Sequence, residues 1–280
     1  MTEVKPVAAR PEEVLFLSDD AAFKWPRKVD LFGIGISVTD YDQAVAAIIN
    51  AGRLRSGGIV SCHSAHAVVT LTSTAELRQV ANEFQMITPD GQPVRWAINL
   101  LHDLGLRDRV YGPELMLRVC RAAAEYGQSI YLYGGRPGVL CDLKEKLYDR
   151  FPGLTIAGAE DPPFRPLTAA EEERVIQRID DSGASILFIG LGCPKQDILA
   201  YHWREHIKPV QICVGAAFDF HAGAKKIAPA WMQARGIEWL FRLYQEPGRL
   251  WRRYLSTNSI FIMKILNAWL TKQVSSRLRH

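Results

Sequence analysis

Short apolar runs alternate with stretches of helical periodicity over most of the chain. The runs are rich in β-branched and aromatic residues and end at turn residues, which is typical of strands. They are LFGIGISV, GIVSCHS, FQMI, SIYLYGG, LTIAGAE, ASILFIGLG and VQICVGAAFDF.

Helices are predicted between these strands. Thr39 or Asp40 would cap a helix that ends at Gly52, and residues 137–150 predict another. Thr168 and Glu171 have the spacing of a capping box. The alternation predicts an α/β fold with a mainly parallel, Rossmann-like sheet and helices on both faces.

The pattern changes near both ends of the chain. Residues 1–28 show no periodicity and predict a poorly ordered leader, so residues 29–225 form the predicted α/β core. Residues 226–280 predict a helical appendage, broken at Pro247-Gly248 and rich in Trp, Tyr and Arg. Its amphipathic, basic character favours contact with a membrane surface.

Charge is distributed unevenly in a chain of otherwise ordinary globular composition. The net charge is +4, yet residues 242–280 hold eight Arg or Lys against one acid, a balance of +7 that leaves −3 for residues 1–241. The basic end is therefore expected to meet an anionic partner, which could be a membrane surface, nucleic acid or phosphates. Nucleic acid is not expected, because the basic end lacks a recognised nucleic-acid module.

Cysteine usage and hydropathy indicate where in the cell the protein lies. Five scattered cysteines without a CxxC pair predict reduced core residues in the cytosol. The longest apolar run near the end, SIFIMKILNAWL, is too short for a bilayer span, which needs about 20 residues. These two observations predict a cytosolic protein without a membrane-spanning segment.

Residues that follow the strands are the candidates for chemistry, because ligands bind beyond the carboxyl ends of parallel strands. Asp90, in the turn TPDG, is either a turn residue or a catalytic base. Arg109 is either a diphosphate clamp or a surface arginine. The glycine turns favour a nucleotide or phosphate, although YGGRPG suits a plain turn equally well. The remaining candidates for substrate binding are Ser61, His63, Gly134, Gly135, Gln196 and Asp219.

Two kinds of site are disfavoured by spacing. GIG at 33–35 lacks the third glycine of a dinucleotide fingerprint, which disfavours a nucleotide-dependent oxidoreductase. His63 and His66 have no third ligand nearby, so no metal site is predicted.

Taken in order, seven segments resemble the WecG/TagA/CpsF family of bacterial glycosyltransferases, glycosyltransferase family 26. The segments, within about residues 30–255, are IVSCHSAHAVV, ITPDGQPVRWA, RVYGPEL, YLYGGRPG, IGLGCPKQD, VGAAFDFHAG and APAWMQARGIEWLFRL with EPGRLWRRYL. The resemblance implies an inverting, metal-independent transfer of a sugar from a nucleoside diphosphate sugar, usually UDP-linked. The implied acceptor is a polyprenyl-diphosphate-linked glycan at the cytoplasmic face of the inner membrane, in the synthesis of polysaccharides such as exopolysaccharides.

The resemblance also implies roles for individual residues. Asp90 falls on the proposed general base of the family, and Ser61, Arg109 and Gln196 fall on substrate-binding positions. The appendage arginines, thought to close over the diphosphate and meet the membrane, match Arg242, Arg249 and Arg252 or Arg253.

The chain departs from the family at His63, where many members have Asn, so the choice of donor can differ. No cofactor is expected besides the sugar donor, which is a co-substrate. The donor sugar, acceptor glycan, pathway and oligomeric state stay open, and an oligomer is compatible with the sequence. The alternative function is a non-catalytic, membrane-associated scaffold that binds nucleotide sugar.

Overall fold

The structure is a computed structural model that describes residues 23–163 and 165–277. In chain order, its strands are β1 (Lys28–Leu31), β2 (Ile34–Ser37), β3 (Ile59–His63), β4 (Met86–Pro89), β5 (Ser129–Gly134), β6 (Thr155–Glu160), β7 (Ile186–Gly190) and β8 (Val210–Cys213). The core helices are α1 (Tyr41–Leu54), α2 (Ala65–Leu71), α3 (Ala75–Asn82), α4 (Gln92–His102), α5 (Gly112–Glu125), α6 (Pro137–Arg150), α7 (Ala169–Asp181), α8 (Lys195–Trp203) and α9 (Ala217–His221). The appendage helices are α10 (Ala230–Ala234), α11 (Glu238–Gln245) and α12 (Pro247–Arg277).

Six strands form one parallel sheet in the order β4-β3-β8-β7-β5-β6, which confirms the predicted α/β fold. The strand β7 shows why its sequence is apolar throughout. Ile186 and Phe188 belong to the apolar cluster on one face, and Leu187 and Ile189 to the cluster on the other. Successive side chains of a strand point to opposite faces, so a sheet covered by helices on both sides needs a continuous apolar run.

Two predicted strands differ in the structure. LFGIGISV is a hairpin of β1 and β2, because Phe32 and Gly33, with φ of 60° and 91°, reverse the chain. The hairpin forms a separate two-stranded sheet beside the main one. VQICVGAAFDF is a strand only as far as Cys213, and its FDF segment lies in α9. Gly215, at φ 57°, ends the extended chain.

Described residues before the predicted core boundary at residue 29 contact the core. Residues 1–22 of the predicted leader lie outside the described residues. Phe23 and Trp25 pack against the core as an edge-to-face pair with ring centroids 5.0 Å apart. The predicted leader therefore includes residues that contact the core, and the boundary at residue 29 stays a prediction.

The appendage is helical, as predicted, and lies against the core. Pro247 is the first residue of α12, where a proline costs no helical hydrogen bond, so the helix breaks there and begins again. The helix α12 packs on α2 and α4. Phe261 anchors it in an edge-to-face contact with Phe32 of the hairpin turn, at 5.7 Å. Among the helices that the structure describes, none is both long and apolar enough to cross a membrane.

Candidate active site

A cavity of about 420 Å³ opens beyond the carboxyl ends of four adjacent strands, β4, β3, β8 and β7. The core contributes the residues that follow these strands, in segments 62–67, 90–93, 190–196 and 214–220. The appendage forms the opposite wall with Gly236, Glu238, Trp239, Arg242, Arg253, Tyr254 and Asn258. The cavity thus lies between the sheet and the appendage.

Asp90 lines this cavity directly after β4. Its Oδ2 accepts a hydrogen bond from the Gly112 N–H at 3.2 Å, and its own N–H donates to the His63 carbonyl at 3.1 Å. Burial raises the pKa of Asp90 from 3.8 to about 6, although the nearby Arg109 guanidinium lowers it. The carboxylate is therefore more basic than an exposed aspartate while remaining mostly ionised at neutral pH.

Arg109 lines the cavity, but its guanidinium is already held by the appendage. Its Nη2 donates to Glu238 Oε2 and to Gln233 Oε1, both at 2.9 Å. The guanidinium also lies over the Tyr111 ring, 4.3 Å from the centroid. The Tyr111 hydroxyl donates to the other oxygen of Glu238, at 3.0 Å. These contacts join the core to α11 with buried side chains.

The other predicted arginines differ in their positions. Arg242 and Arg253 line the cavity, with guanidinium groups over the rings of Phe220 at 5.2 Å and Tyr254 at 5.6 Å. Neither forms an ion pair with any residue in the described part of the chain. The buried Nε of Arg253 has no hydrogen-bond partner there either.

Two further predicted arginines do not contribute described side chains to the cavity. Arg252 is exposed and lies outside the cavity wall, with its guanidinium 5.1 Å from the Trp251 ring centroid. Arg249 lies in α12, but its side chain is outside the described part of the structure.

Gln196 braces two loops of the cavity wall. Its Oε1 accepts hydrogen bonds from the N–H groups of Gly192 and Gly215, both at 3.0 Å. These glycines follow β7 and β8, so one side chain fixes the backbone at two strand ends. The side-chain oxygen of Gln196 already accepts these two hydrogen bonds, so its Nε2 is the side-chain group that can bind a ligand.

Ser61 and His63 lie behind the cavity wall rather than in it. Both side chains are buried and both approach Asp197 Oδ1, the Ser61 hydroxyl at 2.8 Å and the His63 Nε2 at 3.3 Å. Two atoms of this cluster, Asp197 Oδ2 and His63 Nδ1, have no partner among the described residues. Asp197 was not predicted from the sequence, although it directly follows Gln196 at the beginning of α8.

Of the predicted site residues Gly134, Gly135 and Asp219, only Asp219 lies in the cavity wall. Gly134 and Gly135 do not line the cavity. Gly134 has a φ of 126°, and a Cβ there would lie 2.8 Å from the Gly190 backbone, so this glycine permits a close approach of β5 and β7. Asp219 lines the cavity and pairs with Lys225 at 2.8 Å; Lys225 also contacts Glu246, before α12, at 3.2 Å.

A family model described as the Glycosyl transferase WecG/TagA/CpsF family matches residues 29–275. The matched range contains the whole six-stranded sheet and the appendage helices α10 and α11, and therefore both walls of the cavity. Most of the chain is covered. The chain therefore belongs to the WecG/TagA/CpsF family of glycosyltransferases, which takes part in the synthesis of cell-surface polysaccharides.

Proposed function

We propose that the protein transfers a sugar, with inversion, from a UDP-linked donor to a polyprenyl-diphosphate-linked glycan in bacterial polysaccharide synthesis. The observation that carries the proposal is Asp90, a carboxylate that lines the cavity beyond β4 and whose pKa is raised to about 6. A general base works best when its pKa lies near the working pH. The family membership supplies the reaction class.

Asp90 acts as the base in this proposal. The acceptor hydroxyl oxygen forms the new bond to the anomeric carbon from the side opposite UDP. The bond from that carbon to the UDP oxygen breaks, and its electron pair leaves with UDP. Asp90 takes the hydroxyl proton as the attack proceeds, which in other enzymes contributes about 10²–10⁴-fold in rate.

Cationic side chains of the appendage bind the donor diphosphate in this proposal. Arg242 and Arg253 line the cavity without an ion pair to the described residues, so their charge is available to a phosphate. Such groups stabilise charge that develops on a leaving diphosphate. Within residues 23–163 and 165–277, no group of three or more His, Cys, Asp or Glu is placed to hold a metal. Metal independence is part of the proposal and is tested with EDTA.

The helix α12 is the membrane-contacting surface in this proposal. One exposed side of it carries the apolar side chains of Trp251, Leu255, Ile262, Leu266 and Trp269, and the buried Phe261 lies outside this stripe. Interfacial helices combine such an apolar stripe with basic residues, each worth about 1 kcal/mol near anionic lipid. The protein would then bind peripherally at the cytoplasmic face of the inner membrane, where the lipid-linked acceptor lies.

A transfer assay tests the proposal against the scaffold alternative. Full-length protein is mixed with a short-chain polyprenyl-diphosphate glycan and a panel of UDP- and GDP-sugars, with and without EDTA. We expect release of UDP with one donor, unaffected by EDTA and lost in Asp90→Asn. Binding of a UDP-sugar without turnover of any donor in the panel would favour the scaffold. Equal turnover by Asp90→Asn would contradict the assignment of the base.

A further inference from the structure

A carboxylate of the appendage reaches into the core beside the catalytic candidate. Glu238, the first residue of α11, is only 8% exposed and divides its two oxygens between Arg109 and Tyr111. Gln233, just before α11, adds a second acceptor for the same Arg109 nitrogen. Removing the arginine or the carboxylate from such a buried cluster destabilises the protein, because the charge that remains stays buried and unpaired.

Two possible roles for the pair of Arg109 and Glu238 make opposite predictions for the effect of Glu238 on donor binding. If Arg109 binds the donor diphosphate, Glu238 is an internal anion that competes with the diphosphate. If the pair holds α11 on the core, Glu238 assists donor binding indirectly.

The contacts favour the second role. Arg109 has its Nη2 held by two acceptors from the appendage and its guanidinium over Tyr111. Arg242 follows Glu238 by four residues on α11, so both side chains lie on the same side of the helix. Arg242 lines the cavity and has no ion pair to a described residue. The helix that Glu238 holds on the core is therefore the helix that carries Arg242, an arginine without an ion pair to the described residues, to the cavity. Burial lowers the pKa of Arg242, but the charges of nearby groups, including the Glu238 and Asp90 carboxylates, raise it overall, so Arg242 stays protonated there.

We propose that Glu238 is a positioning residue, whose contacts with Arg109 and Tyr111 hold α11 on the core so that Arg242 reaches the donor diphosphate. In this role Arg109 acts through Glu238 rather than on the substrate. The inference rests on the proposed function, because it assumes a UDP-linked donor. A second contact supports α11 from its other end, where Gln245 exchanges hydrogen bonds with the backbone of Lys226 at 3.2 and 3.1 Å.

The test is calorimetric titration of the full-length protein with UDP. The variants are Glu238→Gln, Arg109→Gln and the double variant. The control is Glu160→Gln, because Glu160 also binds an arginine and a tyrosine hydroxyl, Arg178 and Tyr131, away from the cavity. Amide hydrogen exchange of residues 238–245 is measured in parallel.

Each single variant should weaken UDP binding by roughly tenfold, which is within the usual range for coupling between two sites. Exchange over residues 238–245 should become faster in both. The double variant should bind UDP more tightly than Arg109→Gln alone, because two amides can hydrogen-bond without leaving a buried charge unpaired. Glu160→Gln should bind UDP like the wild type.

Tighter or unchanged UDP binding by Glu238→Gln would overturn the positioning role and restore Arg109 as the diphosphate clamp. The same conclusion would follow if the double variant bound UDP no better than Arg109→Gln. Absence of UDP binding by the wild type would overturn the proposed donor itself, a result that the variants cannot mimic.

Discussion

Replacing Asp90 by Asn should stabilise the protein at neutral pH while removing its proposed catalytic base. Asp90 has a pKa of about 6 in the folded protein against 3.8 for an ordinary aspartate, because burial disfavours its charged form. Between these values the folded state binds more of this proton than the unfolded state does. The contribution of Asp90 to the free energy of unfolding of the wild type therefore falls as the pH rises from 3.8 to about 6. Above about pH 6 this decrease levels off.

The size of the expected stabilisation follows from the shift in the pKa of Asp90. A difference of about 2 pKa units corresponds to about 3 kcal/mol between the two protonation states. Asn retains an oxygen that can accept the Gly112 N–H, so the substitution removes mainly the charge. We expect the stabilisation by Asp90→Asn to rise from about 1 kcal/mol at pH 4.5 to about 3 kcal/mol at pH 7.5.

The assay is urea denaturation of the wild type and Asp90→Asn at a series of pH values between 4.5 and 7.5. Asp161→Asn, which removes an exposed carboxylate, controls for the loss of one negative charge. A stability difference between wild type and Asp90→Asn that is constant over this range would refute the reasoning. So would a variant that is less stable than the wild type at pH 7.5.

Three further predictions concern the sheet, the buried cluster and the appendage. Gly134→Ala should destabilise the protein by about 2 kcal/mol or more in urea denaturation, because its Cβ would lie 2.8 Å from the Gly190 backbone and its φ is 126°. Ser61→Ala should cost about 1–3 kcal/mol in the same assay, because it leaves the buried Asp197 carboxylate short of a donor at 2.8 Å. Leu255→Glu should weaken cosedimentation with anionic lipid vesicles about tenfold, because this side chain is 67% exposed on the apolar side of α12.

The sheet could be predicted from the sequence because its strands are buried on both faces. Such strands are continuous apolar runs, and their carboxyl ends identify the residues that meet at the cavity, Asp90 and Gln196 among them. The hairpin was missed because its turn, Phe32-Gly33, lies inside an apolar run. The helix α2 was missed because AHAVVTL is short and rich in β-branched residues.

The interactions between distant parts of the chain could not be predicted. Glu238 and Arg109 are 129 residues apart, and Ser61 and Asp197 are 136 residues apart. Sequence reasoning identified each arginine as a cation but could not tell which ones are already paired. The position of Glu238 in the folded protein determines which arginines are paired. Glu238 pairs with Arg109, whereas Arg242 lines the cavity without an ion pair to a described residue.

The pH dependence of kcat/KM for sugar transfer tests the role of Asp90 most directly. For the wild type we predict an acidic limb with an apparent pKa near 6, below which the rate falls about tenfold per pH unit as Asp90 becomes protonated. Asp90→Asn should lose about 10²–10⁴-fold in rate, and its residual activity should lack this limb. A limb near pH 6 that persists in Asp90→Asn would contradict the account and assign the titrating group to another residue.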